Sequence, residues 1–218
     1  MPRGKMIVIN FKNYKRGKDA LDLARTIYLY CNHAIIAVPS SDVQQIVNNV
    51  ELAVYGQHVD YQEAGKSTGF IIPEALHETG AKGTLLNHSE HPLPLQVIKK
   101  TVKRCNERNL KVILCAKNLT QVKSFKSLNP HAIAYEDPKL IASGKSITQT
   151  KPATISKFVK LLEDTDIIPL CGAGISSVQD ITAAFDLGCK GVLIASAIAD
   201  NHNPEKLLKE IAPYAHKD

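Results

Sequence analysis

Three residues able to move or stabilise charge each follow a short apolar run: Glu136 after Ala132–Tyr135, His88 just after Gly83–Leu86, and Lys12 after Met6–Phe11. Strands of a parallel sheet buried on both faces read as such runs, and ligands collect beyond their carboxyl ends. A carboxylate there, followed by the small-residue loop Ile141, Ala142, Ser143 and Gly144, suits a general base beneath a closing lid. Asn10 and Lys12 stand two residues apart, so on one strand they share a face, and an inward lysine is costly unless it is used. The alternative is that the strand ends early and Lys12 is an ordinary surface lysine. His88 has its own plain reading as a satisfied core or turn residue. His88 and His91 carry an i, i+3 spacing that would suit a metal site on a helix, but here it falls at a turn, which argues against metal.

The elements that must position these residues alternate along the whole chain. Strands are expected at Met6–Phe11, Ala34–Val38, Leu52–Tyr55, Gly83–Leu86, Val112–Cys115, Ala132–Tyr135, Ile167–Leu170 and Gly191–Ile194. Between them, a helical stripe of Leu21, Ala24, Tyr28 and Cys31 marks Asp19–Cys31, and Val43, Ile46, Val47 and Val50 mark a second helix capped by Ser40 or Ser41. Pro73 opens a short helix that Gly80 ends, and Leu95, Ile98, Val102 and Cys105 define Leu95–Arg108. A weaker helix covers Leu119–Leu128; the next begins at Pro152 and buries Ile155, Phe158, Val159 and Leu162. Ser176 or Ser177 caps a helix with Val178, Ile181 and Phe185 that Gly188 stops, and the last helix starts at Pro204.

Eight strand–helix units imply a parallel sheet, since parallel strands need crossovers, and suggest an α/β fold closed as a (β/α)8 barrel. A doubly wound open sheet is the alternative, although no G-x-G-x-x-G follows the first strand. In a closed barrel the ends of strands one, four and six meet at one mouth and bring Lys12, His88 and Glu136 together. Gly172-Ala173-Gly174-Ile175 and Ala195-Ser196 then add backbone N–H groups of the kind that hold phosphate in barrels.

A chain of 218 residues is the size of one barrel domain, and its apolar (44%) and charged (22%) fractions are those of a soluble globular protein. No apolar run approaches the length of a membrane span, so a cytoplasmic protein is expected. The odd count of five cysteines, without a C-x-x-C pair, reads as buried free thiols. The net charge of +6 and the run Lys99–Arg104 raise the possibility of nucleic acid. Because that run lies on an apolar-faced helix without aromatic interleaving, a solvated helix face is the better reading, and a mild positive field favours a small phosphorylated anion.

Taken together, Asn10-Phe11-Lys12, GQHVD at Gly56–Asp60, Ser67-Thr68-Gly69, GTLLNHSE at Gly83–Glu90, Tyr135-Glu136 with the lid through Gly144, CGAGIS at Cys171–Ser176 and GVLIAS at Gly191–Ser196 make the chain resemble the triosephosphate isomerase family, in its short archaeal form. The likeness covers nearly the whole chain. It implies that Glu136 is the base acting on dihydroxyacetone phosphate, that His88 is a neutral electrophile, and that Lys12 offsets enediolate and phosphate charge. These roles are those of a standard worked case of acid–base tuning. It further implies that Asn10 binds substrate, that Ile141, Gly174, Ala195 and Ser196 hold the phosphate, and that Glu90 lies in the layer behind. No metal or organic cofactor is required. The loop Gln62–Ile72 would enter a partner subunit in a homodimer or homotetramer, with Thr68 reaching toward the partner's site.

The chain departs from the family at Asp137, where Pro is common, at Ala142 in place of a lid glycine, and at Cys171 in place of a tyrosine that latches the lid. A carboxylate at Asp137 is expected to raise the pKa of Glu136. Two other readings make different predictions. Another phosphate-binding barrel isomerase or epimerase, if metal-dependent, needs inward His and Asp ligands on several strands. A non-catalytic basic scaffold for nucleic acid predicts salt-sensitive binding that ignores the loss of Glu136.

Overall fold

The computed structural model describes residues 5–140 and 146–215. Eight parallel strands form a closed barrel in sequence order: β1 (Met6–Asn10), β2 (Ile35–Val38), β3 (Ala53–Gly56), β4 (Gly83–Leu86), β5 (Lys111–Ala116), β6 (Ala132–Tyr135), β7 (Ile168–Cys171) and β8 (Gly191–Ile194). Closure comes from β1 pairing with β8, Met6↔Gly191 through Ile9↔Ile194, which removes the open-sheet alternative. Around the barrel lie α1 (Gly17–Tyr30), α2 (Val43–Val47), α3 (Pro73–Glu78), α4 (Leu95–Glu107) and α5 (Leu119–Lys126). They are followed by α6 (Ile147–Thr150), α7 (Pro152–Leu162), α8 (Val178–Asp186), α9 (Ser196–Ala199), α10 (Glu205–Ile211) and a 3-10 turn at Ala212–Tyr214. Among the described residues no helix is long and apolar enough to cross a membrane.

Side-chain alternation splits the core in two. Met6 and Val8, Leu85, Ile113 and Cys115, Ala132 and Ala134, Leu170 and Leu193 point into the barrel and pack on one another. Ile7, Ile9, Leu86, Val112, Leu114, Ile133, Tyr135 and Val192 point outward against the helices. Each large side chain buried this way contributes roughly 1.5–3 kcal/mol. Glycines begin β4 and β8 for lack of room: a Cβ on Gly191 would stand 2.4 Å from the Met6 carbonyl, and one on Gly83 would stand 2.1 Å from the Lys111 carbonyl. The strand starts could not approach so closely with any other residue.

Several expected boundaries move. β1 stops at Asn10, before Phe11, because Lys12 adopts φ 45°, a left-handed conformation no strand continues through. β3 and β7 each lie one residue further along than expected, and α2 ends early at Val47. Neither Ser40 nor Ser41 caps α2. The position before it is Asp42, whose Oδ2 instead accepts the Gly17 N–H at 3.1 Å. Ser177, not Ser176, caps α8, in a reciprocal pairing with Asp180. Tyr28 is 43% exposed and Leu95 is 40% exposed, though both were expected in buried stripes. Tyr28 follows Ile27, which faces the barrel, by about 100° around α1, and Leu95 is the first helical residue of α4. The short helices α6 and α9 are additions that a search for long periodic stretches passes over.

All five cysteines are free and buried, and burial pushes the Cys31 thiol up to about 11 and the Cys105 thiol to about 12, so both remain protonated apolar groups. The Lys99–Arg104 run divides as a solvated helix face should. Thr101 and Val102 are buried while Lys99, Lys100 and Lys103 are exposed. Arg104 turns to Glu74 on α3, with its Nη2 2.7 and 2.9 Å from the two carboxylate oxygens, and Arg108 Nε reaches the same carboxylate at 2.8 Å.

Burial alone would raise the Glu74 carboxyl, but the hydrogen bond from Arg104 and the charges of Arg104 and Arg108 outweigh it and hold the group below the usual range. A depressed carboxylate stabilises the fold at pH values above its unfolded pKa, and that contribution fades as pH falls through the folded value. Glu74→Gln is therefore expected to lower the thermal midpoint at pH 7, with the deficit shrinking toward pH ~3; melting curves across that range test it.

Candidate active site

One end of the barrel gathers the chemistry. Asn10, Lys12, His88, Glu136, Gly174, Ala195 and Ser196 all line a single pocket at the carboxyl ends of the strands, together with Tyr14, Ala173, Ile175, Ser176 and Leu193. The inward phase of β1 (Met6, Val8) carries on to Asn10, and that of β6 (Ala132, Ala134) to Glu136.

Lys12 reaches the mouth from a turn rather than from the strand. Its left-handed backbone is held by its own N–H donating to Asn10 Oδ1 at 2.9 Å and by its carbonyl accepting from Gln57 Nε2, also at 2.9 Å. Gln57 Nε2 also lies 3.2 Å from Asn10 Oδ1, so one amide braces both residues. Lys12 Nζ donates to Glu90 Oε1 at 2.6 Å, and the lysine side chain is only 12% exposed. Glu90 thus supports Lys12 by direct contact with its ammonium.

His88 is placed by its neighbour. Asn87 takes the left-handed conformation at φ 58°, donates from Nδ2 to the Cys115 carbonyl at 2.9 Å and accepts the Leu93 N–H at 2.9 Å. The backbone N–H of Glu90 donates to His88 Nδ1 at 3.2 Å. A ring nitrogen that accepts carries no proton in the neutral imidazole, so the N–H is on Nε2. Nε2 faces Glu136 Oε2 at 3.6 Å. A neutral donor thus stands beside a carboxylate at the bottom of a pocket.

Glu136 is 6% exposed, and among the described residues its Oε2 has no hydrogen-bond partner. It sits one residue past the pairing Tyr135↔Cys171, opposite Gly172, where an added Cβ would lie 2.7 Å from Glu136 Cγ and 2.9 Å from Oε1. The missing side chain makes space for the base. The Cys115 thiol lies against the same carboxylate, and burial together with the Glu136 charge holds it protonated. Asp137 points away toward Lys151, whose ammonium it binds, and its Oδ1 accepts the Lys139 N–H at 3.0 Å. Burial would raise the Asp137 carboxyl, yet the bonds from Lys151 and Lys139 and the two lysine charges lower it. The second carboxylate is answered by Lys151, contrary to the expectation that it would bear on Glu136.

On the opposite wall Ala173 and Gly174 adopt φ 69° and 73°, turning the chain sharply at the end of β7. The N–H groups of Ser176 and Ser177 are both taken by Asp180 Oδ2 at 3.1 Å, which leaves Ser176 outside the set of backbone donors. Ile141 and the lid from Ile141 to Gly144 lie outside the described residues. Thr68 is exposed on the loop and is not among the residues that line this chain's own pocket. Asp60 closes that loop at its base, with Oδ2 accepting the Ile71 N–H at 2.9 Å and Oδ1 3.0 Å from His58 Nε2. Gln57, Asn87 and Cys115 are not among the site residues expected from the sequence, and Gly172 is expected there only as a backbone donor to phosphate, not as the space behind Glu136. Gln57 stood in a run quoted for resemblance, and an Asn directly before a candidate catalytic His was a signal that the backbone turns there.

A larger cavity, about 1250 Å³, opens at the other end of the barrel among Met6, Ile35, Ala53 and Ile168. It contains none of the candidate catalytic groups, so chemistry rather than size locates the site. Among the described residues no three His, Cys, Asp or Glu side chains are grouped to hold a metal ion.

The family model described as triosephosphate isomerase matches residues 5–211. The chain is 35% identical over 217 residues to the triosephosphate isomerase of Methanocaldococcus jannaschii, covering 96% of this chain and 99% of that protein. It is 37% identical to that of Methanothermus fervidus, covering 94% and 96%, and 34% identical to that of Sulfolobus acidocaldarius, covering 97% and 95%.

Gly172→Ala tests the space behind the base. The atoms its methyl meets belong to the flexible Glu136 side chain rather than to backbone, so the fold is expected to survive while the carboxylate shifts. Turnover should fall by about 10- to 100-fold, as a misplaced catalytic group implies, with the thermal midpoint nearly unchanged. Steady-state kinetics beside a melting curve separate the two effects.

Proposed function

The chain belongs to the triosephosphate isomerase family, and from that premise we propose that it interconverts dihydroxyacetone phosphate and D-glyceraldehyde 3-phosphate in glycolysis and gluconeogenesis, using Glu136, His88 and Lys12. The observation that carries the reading is Glu136 Oε2, buried, without a hydrogen-bond partner among the described residues, and facing His88 Nε2 across 3.6 Å. A buried carboxylate that faces the pocket is placed to take a carbon-bound proton from a molecule bound there.

Glu136 removes the proton from the carbon next to the carbonyl, and the electron pair moves to the carbonyl oxygen to give an enediolate. His88 Nε2–H gives its proton to that oxygen and Nε2 takes up the proton of the adjacent hydroxyl, so the two oxygens exchange roles and the ring returns to its starting form. The imidazole is neutral because Nδ1 already accepts the Glu90 N–H. The proton then returns from Glu136 to the neighbouring carbon. Lys12 offsets the charge of enediolate and phosphate; Glu90 holds its ammonium at the mouth until the anion takes that place. Asn10 contacts the substrate, and backbone N–H groups of Ile141, Gly174, Ala195 and Ser196 hold the phosphate. Residues 1–218 act as one barrel domain in the cytoplasm.

Assembly is the second part of the reading. Phe70 is 49% exposed on the returning limb of the Gln62–Ile72 loop, with exposed Thr68 two residues before it, a surface suited to contact with a second copy. The chain forms a homodimer or homotetramer through that loop, and Thr68 supports the neighbouring subunit's site. Phe70→Asp is expected to shift the sedimentation coefficient toward the monomer and to cut activity with it; a variant still assembled like the wild type would overturn this contact.

The catalytic assignment is tested by a coupled assay of glyceraldehyde 3-phosphate conversion. Glu136→Gln should lower kcat by ~10²- to 10⁴-fold, with activity of the wild type unaffected by a chelator. A folded wild type that binds inorganic phosphate but converts no triose phosphate would sink the reading.

A further inference from the structure

We propose that Asp137 and Lys151 form a positioning clamp that aims Glu136 into the site, a role that rests on the isomerase reading above. Three consecutive residues carry the argument. Tyr135 and Asp137 flank Glu136, and by strand alternation both face away from the barrel interior that Glu136 enters. Tyr135 is anchored outside, 5% exposed, with its ring 5.5 Å from that of Phe158 on α7. Asp137 is anchored on the same side by the ammonium of Lys151, the residue that joins α6 to α7. The Asp137 side chain is 11% exposed and also accepts the Lys139 N–H at 3.0 Å, while its carbonyl accepts the Leu140 N–H at 2.9 Å. Pro138 at the first position of that turn narrows the backbone further.

The Glu136 side chain meets the Cys115 thiol, which hydrogen-bonds to it, and faces His88 Nε2 at 3.6 Å. Among the described residues its Oε2 lacks a hydrogen-bond partner, and the space opposite is left open by Gly172. One weak thiol donor does not fix the direction of the carboxylate, so the backbone that carries it must help to set it. The backbone on one side is fixed by an aromatic contact and on the other by an ion pair to the helix that carries the same aromatic partner. α7 thus grips the chain before and after the base. Breaking the Asp137–Lys151 pair frees only the second grip, so the fold persists while the aim of the carboxylate loosens.

The clamp predicts a particular kinetic pattern for Asp137→Asn and Lys151→Met. Each should lower kcat by about 10- to 100-fold, the scale of a misplaced catalytic group, with KM for the triose phosphate within about two-fold of wild type. The double variant should be no worse than the poorer single, because both remove one interaction. Lys151→Arg should recover most of the lost kcat. Lys151 is 43% exposed, so its variants remain folded if Asp137→Asn does not. Unchanged kcat in the singles, losses that multiply in the double, or losses confined to the thermal midpoint would each overturn the clamp. A wild type with no isomerase activity would instead overturn the functional reading, and the clamp's role in this reaction with it.

Discussion

The backbone pairings between β1 and β8, from Met6↔Gly191 to Ile9↔Ile194, join the two ends of an eight-stranded sheet into a ring. Parallel strands in a ring leave no edge to protect, and all their carboxyl ends open on one side. Residues separated by more than a hundred positions then face each other across the mouth. The glycines at the strand starts allow the ring to be this tight, since a methyl at Gly191 would collide with the Met6 carbonyl. The pocket exists because the ring closes.

Within that mouth the charges are sorted by pairing. Lys12 is held by Glu90 and Asp137 by Lys151, while the carboxylate of Glu136 faces a neutral imidazole. Glu90 and Lys151 are half-exposed, so solvent screens both ion pairs, while Glu136 and His88 lie buried between them. The orientation of His88 comes from a backbone N–H two residues on, so the short loop after β4 sets the protonation pattern. The same economy appears at Lys12, whose strained turn is secured by Gln57 from β3's loop.

Small residues and tight turns serve the site as much as the polar groups do. Gly172 leaves the volume Glu136 occupies, and Asn87 turns the chain so that His88 follows at the rim. Asp180, 3% exposed, draws Ser176, Ser177 and Gln149 together, tying the turn after β7 to the short helix α6. Such residues are silent in composition and motif because their role is to occupy or vacate a particular volume.

The periodicity of apolar residues by itself determined the strand–helix alternation, and with it the place of Glu136 and His88 after strands and the burial of the cysteines. Alternation is a local property, and a residue's phase in a strand is readable from its neighbours. Only the tertiary structure decided that the sheet closes, that β1 ends before Lys12, and that Asp137 turns to Lys151 rather than to Glu136. Closure depends on strand tilt and register summed over the whole ring, which no single window of sequence contains. The direction of Asp137 depends on where α7 packs, and the tautomer of His88 on a backbone N–H that lies in reach only once the loop has folded. Those are distances between parts of the chain, and distance is what folding supplies.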